Sequence, residues 1–469
     1  MSTTRTAAPT AALASLSLSM LLSAMGTSIA NVGLPSLAQA FNVPMAQVQW
    51  VVLAYLLAVT TLVVGVGRMG DVLGRRRLLL AGIAVFTAAS LLCSAAPTLW
   101  LLLIARALQG LGAAAMMALT LAFVSETVAK EKTGRAMGLL GTMSAVGTAL
   151  GPALGGFLVA GFGWQALFLV NVPLGLLAFA LAWRSLPADR PHAPSARTGL
   201  DPVGTLLLAL TLAAYALAMT LHTAAGAAGL GPLNGALLLA TAVGVVLFVR
   251  VEAHASAPLV RLALFREPPL RASLAMAMLV STVVMATLVV GPFYLTRALG
   301  LHAAQVGLVL SIGPCAAALA GVPAGRLVDH FGGPAMVVAG LLTMAAGTLL
   351  LGTAPLALGI AGYAVPITLL TMGYALFQTA NNTATLAGVA ADQRGVVSGM
   401  LSLSRNLGLI TGASAMGTVF AAVVATQARA AQPAAAATGM RVTFLVCSTL
   451  VIAAVALAAP AWRRDRAAA

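Results

Sequence analysis

Residues 67–77 read Gly-Arg-Met-Gly-Asp-Val-Leu-Gly-Arg-Arg-Arg and lie between two long apolar runs. Five of these residues are charged, in a chain in which only 7% of all residues are charged. A weaker copy, Gly-Arg-Leu-Val-Asp-His-Phe-Gly, occupies residues 325–332, with Gly, Arg, Asp and Gly at the same offsets. Any cytoplasmic loop can be basic simply to fix its side of the membrane. Two copies with one spacing favour two copies of one structural unit.

The composition predicts a membrane protein made of helices. The chain has 469 residues, of which 61% are hydrophobic, whereas a soluble domain carries about a quarter charged residues. Its apolar runs repeatedly reach the roughly 20 residues that a helix needs to cross a bilayer. The formal charge of +15 does not indicate nucleic-acid binding, because the basic residues occur singly or in small groups between apolar runs.

Apolar runs and their breakers predict fourteen membrane-spanning helices. The runs are 11–33, 48–66, 78–96, 98–124, 136–161, 165–183, 202–222, 233–251, 272–296, 303–324, 335–353, 356–379, 394–426 and 441–461. Without the pair 202–222 and 233–251, six spans remain on each side, and each charged segment follows the second span of its half. This is the layout of a duplicated transporter with a two-span insert. We therefore predict two six-helix bundles, residues 1–190 and 266–469, separated by an insert at 191–265.

The distribution of Lys and Arg predicts the orientation. With the N-terminus inside, 20 of the 25 basic residues fall on the inner side, three on the outer side and two within spans. The positive-inside rule then places both termini in the cytoplasm, in a multi-pass protein of the cell membrane. We expect a monomer whose partners are the lipid bilayer and a small molecule.

No pattern for an enzyme, a metal site or a cofactor is present in the sequence. The three cysteines lie singly in apolar runs, and neither a nucleophile–base set nor a nucleotide-binding loop occurs. We expect no cofactor, no metal and no ATP-driven chemistry in this chain.

Two segments within spans carry polar or small residues that need a reason. Arg106, in Arg-Ala-Leu-Gln-Gly-Leu-Gly, is costly inside a membrane unless it faces a cavity or is satisfied by neighbouring backbone carbonyls, and both alternatives stay open. Residues 147–156 read Gly-Thr-Ala-Leu-Gly-Pro-Ala-Leu-Gly-Gly. Glycines four residues apart share one helix face and permit close packing, while Pro152 favours a bend. This face is either plain helix packing or a seam between moving halves.

With Phe-Leu-Val-Asn-Val-Pro-Leu-Gly at 168–175, these segments resemble signatures of the major facilitator superfamily, in detail its fourteen-span drug:proton antiporter branch. The resemblance covers nearly the whole chain. It implies that the 67–77 segment acts as a gate between the halves and that the 147–156 segment is typical of exporters. The implied gate residues are Gly67, Arg68, Asp71, Gly74, Arg75, Arg76, Gly147, Gly151, Pro152, Gly155, Gly156, Arg326 and Asp329.

The chain departs from that branch in its acidic residues. Many members carry an Asp, tied to proton coupling and cation recognition, where this chain has Gly26. All ten acidic residues here lie in inner loops or at inner span ends, and none lies in the middle of a span. A carboxylate within the membrane is the usual proton relay and the usual counter-ion of a cationic drug. Since the only charges within spans are Arg106 and Arg405, we expect a neutral or anionic amphiphile as substrate.

Polar groups in the middle of cavity-lining spans are the candidates for substrate binding, with interhelical hydrogen bonding as the alternative for each. They are Asn31, Tyr55, Arg106, Gln109, Tyr294, Tyr374, Gln378, Arg405 and Asn406. The sequence thus predicts a secondary active exporter of small amphiphilic compounds such as drugs or antibiotics, working by alternating access and, from the resemblance, by proton antiport. A dedicated exporter of one metabolite and a non-transporting sensor with a transporter fold remain alternatives.

Overall fold

The computed structural model describes most of the chain as helix. The described residues are 9–43, 45–48, 50–128, 130–187, 189, 201–224, 232–255, 258, 262–390, 393–427 and 432–468. Within these ranges the regular elements are helices, and no strand occurs. The predicted all-α fold class is confirmed.

Sixteen α-helices are present in the described ranges. The first eight are α1 Pro9–Phe41, α2 Met45–Val48, α3 Trp50–Leu73, α4 Arg75–Ser94, α5 Leu99–Thr127, α6 Thr133–Phe162, α7 Ala166–Leu169 and α8 Asn171–Ser185. The other eight are α9 Pro202–Ala224, α10 Pro232–His254, α11 Pro268–Arg297, α12 Ala303–Phe331, α13 Gly333–Thr353, α14 Ala361–Ala387, α15 Arg394–Thr426 and α16 Gln432–Ala468. Short 3₁₀ turns precede α6, α11 and α14.

Twelve segments of the described chain are long and apolar enough to cross a membrane, and each lies at one of the predicted spans. The helices at the two remaining predicted spans, α6 and α14, have 30 and 27 residues, more than the roughly 20 that a bilayer requires. They are not among the twelve. The count of fourteen spans therefore stays a prediction.

The two charged segments adopt the same backbone. The predicted spans end at residue 66 and resume at residue 78, which left the charged segment 67–77 between them, but α3 continues to Leu73 and α4 begins at Arg75, so that Gly74 alone turns the chain. Its φ is 104°, in the region that favours glycine. In the second copy, Gly332 alone separates α12 from α13, with a φ of 84°. The repeated spacing thus encodes a repeated helix–glycine–helix corner.

A second repeated feature is a close crossing of two helices through glycine. A Cβ on Gly112 of α5 would lie 2.6 Å from the carbonyl oxygen of Gly82 in α4. A Cβ on Gly373 of α14 would lie 2.8 Å from the carbonyl oxygen of Gly340 in α13. Both crossings require backbone-to-backbone packing, which small residues allow in membrane helices. The duplication seen in the sequence therefore extends to the packing.

Helix contacts group the described chain into two compact units. The N-terminal unit contains 1–213, 244–262 and 386–403, and the C-terminal unit contains 214–243, 263–385 and 404–469. Helix α15 is shared, since its first residues belong to the N-terminal unit. Buried side chains such as Leu16, Phe86 and Phe123 form the core of the first unit, and Val283, Met344 and Phe444 lie in that of the second. The separate insert at 191–265 stays a prediction from the sequence.

Candidate functional site: the glycine corner and two polar clusters

Asp71 holds the beginning of α15. Its carboxylate is buried and accepts hydrogen bonds from Nε and Nη2 of Arg75, at 3.0 and 2.7 Å. It also accepts hydrogen bonds from the backbone N–H groups of Gly395 and Val396, both at 3.1 Å. These N–H groups are in the first turn of a helix, where no intrahelical acceptor exists and where negative charge is stabilised. The side chain therefore caps a helix that begins more than 300 residues later in the chain.

Glycines let α3 approach the start of α15 closely. A side chain on Gly67 would collide with the carbonyl group of Gly395, and one on Gly395 would collide with that of Gly67. One turn further along α15, the hydroxyl of Ser398 donates a hydrogen bond to the carbonyl oxygen of Ala118 in α5. The start of α15 is thus held by a charged cap, a backbone contact and a hydroxyl group, all within the N-terminal unit.

Asp189 supports the corner from the other side and was not predicted from the sequence. Its carboxylate accepts hydrogen bonds from the backbone N–H groups of Arg76 and Arg77, at 2.8 and 3.1 Å, and so caps α4. The guanidinium of Arg76 donates to the carbonyl oxygen of Trp183 and lies 5.5 Å from the centre of its ring. An isolated acid in a basic connection was the only signal for this role. The connection after α8 thus forms part of the corner.

The other predicted gate residues of the charged segments differ between the two copies. Arg68 is buried, whereas its counterpart Arg326 is exposed. Asp329, the counterpart of Asp71, is half-buried. The gate function of both copies stays a prediction.

The glycine face of α6 packs against α1 in the same unit. A Cβ on Gly147 would collide with the carbonyl oxygen of Leu21, and one on Gly151 would collide with the hydroxyl of Ser28. Ser28 donates a hydrogen bond of 3.1 Å to the carbonyl oxygen of Gly147. Gly155 also faces α1, whereas a Cβ on Gly156 would meet open space. The side chain of Pro152 lies outside the described part. This face is covered by close packing, and its role as a seam between halves stays a prediction.

Tyr55, Arg106 and Gln109 form one closed cluster in the N-terminal unit. All three side chains are fully buried. Nε of Arg106 donates to the carbonyl oxygen of Val51 at 2.9 Å, Nη2 to that of Gly26 at 3.0 Å, and Nη1 to the amide oxygen of Gln109. Its guanidinium carbon lies 4.3 Å from the centre of the Tyr55 ring. This geometry matches the alternative in which backbone carbonyls satisfy Arg106, and it leaves no exposed donor for a ligand.

The remaining groups of this cluster are also satisfied. The Tyr55 hydroxyl donates to the carbonyl oxygen of Ser23 at 2.8 Å, and the amide nitrogen of Gln109 donates to the hydroxyl of Ser90 at 2.7 Å. Gly26 occupies the position at which many members of the fourteen-span branch that the sequence resembles carry an Asp. A Cβ there would lie 3.0 Å from the Tyr55 hydroxyl. The space for that acid is thus filled by the tyrosine, and only the backbone at this position contacts Arg106.

The C-terminal unit contains a more open cluster. Arg405 of α15 and Tyr374 of α14 are both half-buried, and the Arg405 charge is near enough to act on the phenol. Gln378 lies one turn after Tyr374 on the same face of α14 and is also half-buried. Asn406 is buried at 7% exposure, and its amide nitrogen has no hydrogen-bond partner among the described residues. Four predicted binding residues therefore lie in this unit, two on α14 and two on α15.

Another predicted binding residue, Tyr294, falls outside both clusters. Tyr294 is buried near the C-terminal end of α11, where its ring stacks on that of Tyr363 at 6.2 Å between the ring centres. Tyr363 precedes Tyr374 by three turns of α14, about 16 Å along the helix axis. Tyr294 therefore lies at a different depth from the Arg405 cluster. The side chain of Asn31 lies outside the described part.

A duplicated bundle of apolar helices, with a capped glycine corner in one copy and a matching corner in the other, defines a polytopic membrane transporter of two repeats. The sequence profile of the Major Facilitator Superfamily matches residues 16–413 and 275–469. The chain belongs to the major facilitator superfamily.

Several curated proteins are similar over most of their length. The chain is 31% identical to the uncharacterized transporter YebQ of Escherichia coli, over 82% of this chain and 83% of YebQ. It is 32% identical to the multidrug efflux pump LfrA of Mycolicibacterium smegmatis, over 90% of this chain and 83% of LfrA. It is also 29% identical to the riboflavin transporter RibZ of Clostridioides difficile, over 85% of this chain and 86% of RibZ. The predicted family is thus confirmed.

Solved structures share the fold. The crystal structure of the proton:xylose symporter XylE superposes with a TM-score of 0.66, covering 94% of each chain at 14% sequence identity. At that identity the likeness establishes the fold alone. The protein is a membrane-spanning transporter of the major facilitator fold.

Proposed function

We propose that this protein exports small amphiphilic compounds from the cytoplasm by alternating access, with protons as the exchanged ion. The observation that carries the proposal is the Asp71 contact with the first turn of α15. Helix α15 lies in the second half of the sequence, yet its first residues, up to Leu403, belong to the N-terminal unit. A contact of this kind favours one conformation of the transporter, and its release favours the other.

The direction of transport and the substrate class rest on relatives. LfrA is named a multidrug efflux pump, and it aligns with 90% of this chain. The glycine-rich α6, which is typical of exporters in the family that the sequence resembles, is packed without space for side chains at Gly147 and Gly151. Export of several amphiphiles is the function that these features favour together.

Proton exchange is the part of the proposal that rests on resemblance alone. All ten acidic residues lie outside the middle of the predicted spans, and the position typical of the coupling acid is Gly26. Coupling without a carboxylate at mid-membrane depth would need another titrating group.

Transport is best tested in inside-out membrane vesicles, in which export appears as uptake. Vesicles containing the protein should accumulate an amphiphilic dye when a pH gradient, acidic inside, is imposed, and vesicles with an empty vector should not. Nigericin with equal potassium on both sides collapses that gradient. If uptake persists unchanged after the collapse, proton antiport is wrong while export stands. If no dye or drug of a broad panel is taken up, export of varied amphiphiles is wrong.

A transporter of a single metabolite is the second candidate, favoured by the likeness to RibZ, which is named a riboflavin transporter. The two candidates differ in the number of substrates. Expression in a strain without its own efflux pumps should raise the inhibitory concentration of several unrelated compounds for a multidrug exporter. Protection against one compound at most would favour the second candidate.

We also propose that the protein lies in the plasma membrane with both termini in the cytoplasm. The excess of Arg and Lys on one side of the predicted spans supports this orientation. Green fluorescent protein fused to the C-terminus should fluoresce, because it folds on the cytoplasmic side. A C-terminal alkaline phosphatase fusion with high activity would indicate the opposite orientation.

A further inference from the structure

We propose that Arg405, with Asn406 and Tyr374, forms a binding subsite for the carboxylate of a singly charged amphiphilic anion. This inference rests on the proposed export function and narrows its substrate class. It also assigns different roles to the two arginines that lie within spans, which look equivalent in the sequence.

The hydrogen bonds of the two arginines differ. Arg106 donates to three protein acceptors and is completely buried. Arg405 is half-buried, and no hydrogen bond or ion pair to its guanidinium occurs among the described residues. A guanidinium has five N–H donors and carries its charge at any physiological pH. Of the two arginines, only Arg405 is partly accessible and without a protein acceptor among the described residues, so its donors can be reached by a ligand.

The depth of Arg405 makes a binding role more favourable than a structural one. It is the twelfth residue of α15, about 16 Å from the start of the helix, in a bilayer whose hydrocarbon core is about 30 Å thick. A charge at that depth is costly unless it is paired or faces a water-filled cavity. An anionic ligand would supply the missing pair.

Asn406 provides the independent observation. Its side chain is more than nine-tenths buried, and its amide nitrogen lacks a partner in the described chain. A buried donor without an acceptor is unfavourable by about the cost of a lost hydrogen bond. Asn406 directly follows Arg405 on α15 and so offers an N–H donor at almost the same depth of the helix, and the charge of Arg405 acts on the phenol of Tyr374, which is a third donor.

The donor set identifies the ligand chemistry. An arginine fork fits the two oxygens of a carboxylate, and neutral amide and phenol donors add bonds without further charge. One positive charge compensates a monoanion, whereas a doubly charged phosphate would leave one charge unpaired in the membrane. The sequences on both sides of these groups, Met-Gly-Tyr-Ala-Leu-Phe-Gln in α14 and Leu-Gly-Leu-Ile after Asn406, are apolar enough to receive a hydrocarbon body.

The test compares a dansyl-labelled medium-chain fatty acid with its primary amide, which has the same body and no charge. Binding to the purified full-length protein is followed by dansyl fluorescence, and uptake is followed in inside-out vesicles. Wild-type protein should bind the acid at least tenfold more tightly than the amide. Arg405→Gln should weaken binding of the acid by about tenfold to a hundredfold and change binding of the amide less than about twofold.

Two further variants separate charge from folding. Arg405→Lys should recover part of the affinity for the acid, because the positive charge remains while the fork is lost. Arg297→Gln removes an exposed arginine that lies over the Phe293 ring in the same unit, and it should leave the preference for the acid unchanged.

Each outcome decides a separate point. Equal affinity of wild-type protein for acid and amide, or an equal loss for both in Arg405→Gln, overturns the carboxylate subsite even where export of the amide is observed. Absence of binding and uptake for both probes, together with no uptake of the dye panel, overturns the exporter proposal and the subsite with it. An Arg405→Gln protein that unfolds is replaced by Asn406→Leu, which should weaken only the acid and refutes the subsite if it weakens neither probe.

Discussion

Replacement of Asp71 by Asn should release the start of α15. The carboxylate accepts two hydrogen bonds from Arg75 and two from the backbone N–H groups of Gly395 and Val396. The amide keeps one acceptor oxygen, turns an N–H₂ group toward donors and removes the negative charge from the helix N-terminus. Loss of two charge-assisted hydrogen bonds costs about 3–4 kcal/mol, less any gain from water that enters. Because about 1.4 kcal/mol corresponds to a factor of ten in an equilibrium constant, the equilibrium should shift toward the released conformation by two to three orders of magnitude.

The position of Ser398 gives an assay for this release. Its hydroxyl is fully buried and bonds to the carbonyl oxygen of Ala118 beside the start of α15. A Ser398→Cys variant is made in a background whose native cysteines, Cys93, Cys315 and Cys447, are replaced by alanine. Labelling by a membrane-impermeant maleimide in inside-out vesicles should be slow, and adding Asp71→Asn should accelerate it by at least tenfold.

Glu267→Gln is the matched control for this experiment. Glu267 is an exposed acid that precedes the first residue of α11, and its side chain caps no N–H group. The control removes the same charge from a helix start without breaking a hydrogen bond. Labelling should therefore stay at the rate of the Ser398→Cys protein without further substitution. If Asp71→Asn and Arg75→Gln both label at that same rate, the contact does not hold α15 and the proposed gate is refuted.

Three more perturbations follow from single contacts. Arg106→Gln should lower the unfolding temperature of the detergent-solubilised protein strongly, because it opens a fully buried network at a cost of several kcal/mol, and an unchanged temperature would contradict a structural role. Gly74→Ala should destabilise more than Gly332→Ala. At both positions the positive φ costs an alanine about 1–3 kcal/mol, but only at Gly74 would the Cβ meet a carboxylate oxygen, that of Asp189 at 2.5 Å. Equal losses in thermal stability would disprove that contact. Gly26→Asp places an acid next to Arg106 and should make dye uptake more sensitive to the pH gradient; unchanged sensitivity would show that an acid at this position does not couple transport.

The fold was largely predictable because its signals are local. Runs of about 20 apolar residues predict spans whatever the rest of the chain does, and the repeated Gly, Arg, Asp and Gly spacing predicts a duplication. The ends of the helices were harder to predict from the sequence. The 67–77 segment reads as a loop because it is charged, yet its charges sit on helices α3 and α4 that are stabilised by packing, and only Gly74 leaves the helical backbone.

The sequence allowed us to predict which residues are candidates for the site, but not which hydrogen bonds they make. Arg106 and Arg405 look alike in the sequence, since each is a single arginine in an apolar run followed by an amide residue within three positions. Their difference lies in backbone carbonyls, those of Val51 and Gly26, which are present at every residue and therefore leave no trace in the sequence. Asp71 and Asp189 each cap backbone N–H groups of a helix, and such groups likewise leave no trace in the sequence before the fold is known.

The charge of the substrate decides how much energy a coupled ion must supply for export against a concentration gradient. The cytoplasm is electrically negative, so a monoanion that moves outward gains about 2.3 kcal/mol per 100 mV of membrane potential. That energy alone sustains a concentration ratio of about fiftyfold, since 1.4 kcal/mol corresponds to a factor of ten. A permanent cation would face the same term as a penalty and would need a coupled ion, with a carboxylate in the membrane to carry it. The lack of such a carboxylate in the middle of the predicted spans and the unpaired guanidinium of Arg405 among the described residues therefore agree with each other: for an anionic substrate the membrane potential supplies part of the driving force, and proton exchange has less to supply.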